Sequence, residues 1–144
     1  MISNRRMQYG GRIVVATLLI GSCVGCTEGK PVAKVRGRVV CKNGELPQSS
    51  IRQIRFEPTA DSKAVVRKGA SGAINDDGTF ELYTRRPGDG VHHGEYAVTF
   101  AFYKSAMNHE SPISPDLASS STTPYRVTVE DDVDDLEFEI SLKK

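Results

Sequence analysis

From Val35 to Cys41, apolar or small side chains alternate with charged ones: Val35, Gly37, Val39 and Cys41 fall on one face, Lys34, Arg36 and Arg38 on the other. A period of two over that length predicts a half-buried β-strand. The same alternation returns at Ile54 and Phe56, at Phe80 and Leu82, and at Tyr96, Val98, Phe100 and Phe102. It returns again at Tyr125, Val127 and Val129, and at Leu136, Phe138, Ile140 and Leu142. A seventh, weaker strand is expected over Gly69 to Ile74, closing a hairpin with the Phe80 strand through Asn75-Asp76-Asp77-Gly78. All five phenylalanines fall on inward positions of this register, and Thr99 falls on an outward one.

Turn signals recur between the strands, at Asn43-Gly44, Asp77-Gly78 and Pro87-Gly88-Asp89-Gly90, and nothing after residue 30 has a helical period. Short strands so punctuated predict an all-β domain, a seven-stranded antiparallel β-sandwich of immunoglobulin-like or transthyretin-like, Greek-key type. The alternation stops between Tyr103 and Thr122, where Met107, His109, Pro112, Ile113, Pro115, Leu117 and a serine run occupy one long loop. Loops beyond about 12 to 15 residues in compact domains are usually functional or disordered. Tyr103, Met107, Ile113 and Leu117 are therefore candidate partner-binding residues, with the Pro87 to Gly94 loop beside them; the competing reading is that these side chains pin the loop onto the sandwich.

The first residues follow a different pattern. Arg5, Arg6 and Arg12 precede an uncharged apolar run from Ile13 to Ile20, then small residues, then Cys23 and Cys26. That order is a bacterial lipoprotein signal, and the run is too short to cross a bilayer, which takes about 20 residues. Leu19-Ile20-Gly21-Ser22-Cys23 and Cys23-Val24-Gly25-Cys26 both offer a lipobox. Residues 1–22 are thus expected to be signal peptide, cleaved before Cys23 or Cys26, with 23–32 a tether and 33–144 the domain. Ordinary secretory cleavage near Gly25 is the alternative. Lipidation at Cys23 or Cys26, with palmitate-type chains, would place the protein outside the cytoplasm, anchored to a membrane and facing periplasm or exterior.

Charge and cysteine use narrow the function. Three of the nineteen basic residues precede Cys23, leaving sixteen against eighteen acids. A balance near −2 argues against a nucleic-acid partner. Cys41 is the one cysteine beyond the signal, so no internal disulfide framework is expected; on its inward strand position it reads as a small core residue.

Candidate chemistry is thin. His92 and His93 are the candidate metal pair by residue type, yet neighbours on an extended segment point opposite ways. Asp131, Asp132, Asp134 and Asp135 lack the spacing of a calcium loop and read as an acidic turn. Asn75, Asp76 and Asp77 suit a hairpin turn. Ser119 to Ser121 sit in a low-complexity loop, and Gly69-Ala70-Ser71-Gly72 lacks the last glycine of a nucleophile elbow. No enzyme activity, metal or cofactor is expected. Glycan binding usually relies on exposed aromatics, and with no tryptophan the chain offers Tyr83 and Tyr103.

A resemblance covers roughly residues 35 to 142. Val35-Arg-Gly37-Arg-Val39, Asn43-Gly44-Glu-Leu-Pro47 and Ile54-Arg-Phe56-Glu-Pro58 resemble the opening of carboxypeptidase regulatory-like domains, the transthyretin-like (prealbumin-like) sandwiches of small planctomycete-type lipoproteins. Ile74-Asn-Asp-Asp77-Gly78-Thr-Phe80-Glu-Leu82 is similar to that family's hairpin, Gly94-Glu95-Tyr96-Ala-Val98 to its next strand, and Thr122-Thr123-Pro124-Tyr125-Arg-Val127-Thr-Val129 to its penultimate one. Departures stand at Gly44-Glu45-Leu46-Pro47 and at Leu117, where an aromatic residue is frequent; they bear on a shared binding surface, not on the fold. The resemblance implies a non-catalytic module, here on a membrane anchor, whose partner is an envelope protein or, alternatively, an envelope polysaccharide.

Overall fold

In the computed structural model, which describes residues 31–144, the chain is all-β. Its strands are β1 (Val32–Ala33), β2 (Val35–Cys41), β3 (Ile51–Pro58), β4 (Ala70–Ala73), β5 (Thr79–Leu82), β6 (Val91–His92), β7 (Gly94–Tyr103), β8 (Arg126–Val129) and β9 (Val133–Ile140). One 3₁₀ turn covers Pro115–Ala118. Sheet order is β5-β2-β9 in one layer and β4-β3-β7-β8 in the other, with β1 and β6 forming a separate ribbon. The two larger sheets hold the seven strands legible from alternation. The ribbon has no counterpart in the alternation, and Val32, the last residue of the expected tether, already pairs with His92 in it.

Both sheets turn their apolar faces inward. Val35, Val39, Ile54, Phe56, Phe80, Leu82, Tyr96, Val98, Phe100, Phe102, Phe138 and Ile140 make one buried cluster, so the inward assignment of all five phenylalanines holds. Phe138 is its centre: its ring lies 5.2 to 6.4 Å from those of Tyr125, Phe100, Phe80 and Phe56. Edge-to-face arrangements dominate these contacts, as the ring quadrupole favours. Cys41, 6% exposed, belongs to the same core.

The expected hairpin is present. Ile74 bridges Phe80, the Asn75 amide donates to the Thr79 carbonyl at 2.9 Å, and Asp77 accepts from the Thr79 amide and hydroxyl at 3.0 and 2.6 Å. The strands of this hairpin belong to different sheets, so it forms a corner, locked by reciprocal Ser71–Tyr83 backbone bonds of 2.9 and 3.0 Å. On the opposite side the edge strands β8 and β9 are spanned by the Tyr125 hydroxyl, which donates to the Glu139 carbonyl.

One expectation about the sheets fails. The sandwich is not wholly antiparallel, because β2 and β9 pair in parallel, from Val35↔Val133 to Cys41↔Ile140. Alternation reports which face a side chain occupies but not the direction of its neighbour, so nothing in the pattern could distinguish the two. Between Val35 and Gly37 the register shifts by one residue, leaving Asp134 and Asp135 both exposed at a bulge. Gly37 is required there, since a Cβ would lie 2.1 Å from the Leu136 carbonyl oxygen.

Thr99 is on the outer face, as its register position predicts, yet it is 2% exposed. On the outer face of β7 the small residues Ala97, Thr99 and Ala101 lie opposite Glu57, Arg55 and Gln53 of β3. Long side chains on a neighbouring strand cover small ones in register with them, and the Thr99 hydroxyl donates to Glu57 Oε1 at 3.2 Å. A central strand is thereby buried on both faces.

Candidate functional site

Register gathers the chain entry and three loops at one end of the sandwich. Val35 pairs with Leu82 and Val133, Phe56 with Ala70, Pro58 with Tyr96, and Gly94 with Val129. Residue 31, the β3–β4 loop, the β5–β6 loop and the β8–β9 turn therefore share that end. The β5–β6 loop is shaped by Asp89, whose carboxylate accepts the amides of Thr84, Arg85 and Arg86 at 2.8 to 2.9 Å. These bonds, that from Arg86 foremost, hold the Asp89 carboxyl below its usual range.

In the β3–β4 loop, Ser62 Oγ accepts the Glu95 amide at 3.1 Å, and the Arg67 guanidinium donates to the carbonyls of Thr59 and Ala60. Under this loop the buried Tyr96 hydroxyl donates to the His92 carbonyl at 2.6 Å, and burial pushes its phenol pKa up. Such a phenol stays a proton donor to a backbone oxygen. An open groove of about 360 Å³ results, walled by Lys63, Val65 and Val66 on one side and by His93, Glu95 and Glu130 on the other.

Among the described residues no group of three or more His, Cys, Asp or Glu side chains is placed to hold a metal ion. Asp132 accepts the Lys34 amide at 2.7 Å, Asp76 pairs with Arg52, and Asp77 closes the hairpin turn. Ser119 and Ser121 hydroxyls bond each other at 2.8 Å. A second depression, about 540 Å³, lies along β8 between Asp61, Glu95, Ser121, Arg126 and Thr128.

The predicted partner-binding residues do not form one surface. Met107 is 96% exposed, Tyr103 is half-buried with its ring 5.4 Å from that of His109, and Ile113 and Leu117 are core residues at 1% and 5% exposure. Ile113 and Leu117 are therefore corrected from contact residues to pins. Their segment pairs with the strand end beyond β9: Ile113 bridges Leu142, the Ser114 amide donates to Ser141 at 2.9 Å and the Lys143 amide to Pro112 at 2.8 Å. Apolar spacing within a loop cannot tell an inward anchor from an outward patch, because both bury surface only once something packs on them. Tyr83 is half-buried beside the corner. Cys23 and Cys26 lie outside the described residues.

Sequence reasoning missed the groove. Val65 is 85% exposed in a turn-rich loop with no periodicity, and only tertiary register places it near residue 31. No helix among the described residues is long and apolar enough to cross a membrane. No family model matches the chain, and neither a curated protein nor a solved structure matches it.

Proposed function

We propose that this chain is a lipoprotein, lipidated at Cys23 or Cys26, that displays a non-catalytic β-sandwich of the transthyretin-like, carboxypeptidase regulatory-like type on the bacterial envelope as an interaction or structural module. One observation carries this reading: basic residues, the Ile13–Ile20 apolar run and the two cysteines stand in signal order, ending a few residues before the first strand at Val32. The commitment of every phenylalanine to the core supports a module that acts through its surface rather than through an apolar substrate pocket. An envelope polysaccharide is the second reading, favoured by the depression along β8, where Asp61, Glu95, Ser121 and Arg126 offer hydrogen-bonding groups.

Metabolic labelling with a palmitate analogue is expected to mark the protein, and Cys23→Ala or Cys26→Ala to abolish the mark. Membrane retention of the Cys23→Ala/Cys26→Ala chain through a molar-salt wash would overturn the lipoprotein reading. Pull-down from native membranes, set against a glycan array, separates the two partner classes.

A further inference from the structure

We infer that the end of the sandwich at which residue 31 enters docks on an anionic phospholipid surface through the β3–β4 and β5–β6 loops, with Val65 as the inserting side chain. Three observations converge. Among the described residues the exposed large apolar side chains are Val32, Val65 and Met107, and the first two lie at this end. Val65 is flanked by Lys63 and Lys68, and Lys68 faces Arg85 across a depression whose wall includes Val32 and Val66. These loops present Lys63, Arg67, Lys68, Arg85 and Arg86 against Asp61 and Asp89, an excess of positive charge in a chain that is otherwise slightly acidic after Cys23.

Arg67 donates to the Thr59 and Ala60 carbonyls, whereas Lys63, Lys68, Arg85 and Arg86 stand in no ion pair among the described residues. Among the described residues the ion pairs are Arg36–Glu81, Arg52–Asp76 and Lys104–Glu110, none of them in these loops. The other acids of this end are Glu95 and Glu130, across the groove from Lys63 and Val65, and Asp131 and Asp132 in the β8–β9 turn, whereas Lys68 and Arg85 line the other depression, where Asp89 is the one acid. A basic corner around an exposed apolar side chain is the chemistry an anionic bilayer recognises: headgroups attract the cations, and the interface takes the valine.

The docking rests on the lipoprotein reading for its orientation. An extended chain reaches at most about 18 Å from Cys26 to Pro31, or about 29 Å from Cys23. Either span keeps this end of the domain, and not the Met107 end, beside the bilayer.

The chain contains no tryptophan, so Val65→Trp and Met107→Trp each supply a single reporter in the full-length protein. With phosphatidylethanolamine vesicles containing phosphatidylglycerol, Val65→Trp emission is expected to shift to the blue and to be quenched by brominated acyl chains. Met107→Trp emission should not change. Molar salt, or Lys63→Glu/Lys68→Glu/Arg85→Glu in the Val65→Trp background, should weaken the effect about tenfold. Far-UV circular dichroism confirms that each variant is folded.

Flotation with uncharged vesicles reads the anchor independently. A protein that floats while Val65→Trp stays in water overturns the docking and leaves the anchor standing; a protein that does not float overturns the anchor, and the anionic-vesicle signal still decides the docking face. Equal shifts at both tryptophans, or a Val65→Trp shift that needs added envelope protein or glycan, would also overturn it.

Discussion

At the scale of the residue, burial separates side chains that share one loop and one chemical type. Ile113 and Leu117 are covered while Met107, a few positions earlier, is 96% exposed. Ile113→Ala and Leu117→Ala are each expected to cost about 2 to 5 kcal/mol, because the transfer free energy is lost and a cavity remains. Met107→Ala should stay within about 0.5 kcal/mol. Urea denaturation of the three variants checks this, and equal midpoints would show that the loop carries no core residue. Thr99 makes the same point in reverse, for an outward strand position is buried when its neighbours' side chains are long.

At the scale of the element, turns are fixed by carboxylates that substitute for missing backbone partners. Asp77 accepts two bonds from Thr79, the hydroxyl's being the larger influence, and its pKa is lowered; Asp89 accepts three amides, that of Arg86 foremost, and is lowered likewise. A carboxylate depressed in the folded state contributes stability above its unfolded pKa, near 3.8, and that contribution is lost as the pH falls through the lower folded value. Thermal melts between about pH 5 and pH 2 should therefore show a falling midpoint. Asp77→Asn/Asp89→Asn should start lower and fall less steeply over that range. Both carboxylates are exposed, so salt will shrink the difference. Identical acid limbs for the two proteins would show that these turns do not couple to global stability.

At the scale of the whole molecule, the parallel pair of β2 with β9 joins the beginning of the domain to its end. The pair tolerates no side chain at Gly37, where a Cβ would meet the Leu136 carbonyl oxygen. Gly37→Ala must open the bulge and should cost about 2 kcal/mol or more. Gly44→Ala is the control: φ there is +109°, but a Cβ would meet nothing within 4 Å, so only local strain of about 1 kcal/mol is added. Comparable losses at the two glycines would refute the close approach of β2 to β9. Such end-to-end pairing also raises the entropy of closure, so refolding belongs to the slower range of two-state β proteins.

By itself the sequence determined the all-β class, seven strands in the two main sheets, their inward faces and the Asn75–Gly78 hairpin, because a period of two and turn chemistry are local properties of the chain. It also carries the signal-like segment and the two cysteines on which the proposed anchor depends. Tertiary structure alone decided that β2 and β9 run parallel, that Thr99 is covered, and that Ile113 and Leu117 are core residues. It alone brought Lys63, Val65, Arg85 and residue 31 to one end. Strand direction, burial on a second face and the meeting of distant loops depend on which strands become neighbours, a choice made by packing between segments far apart in the chain.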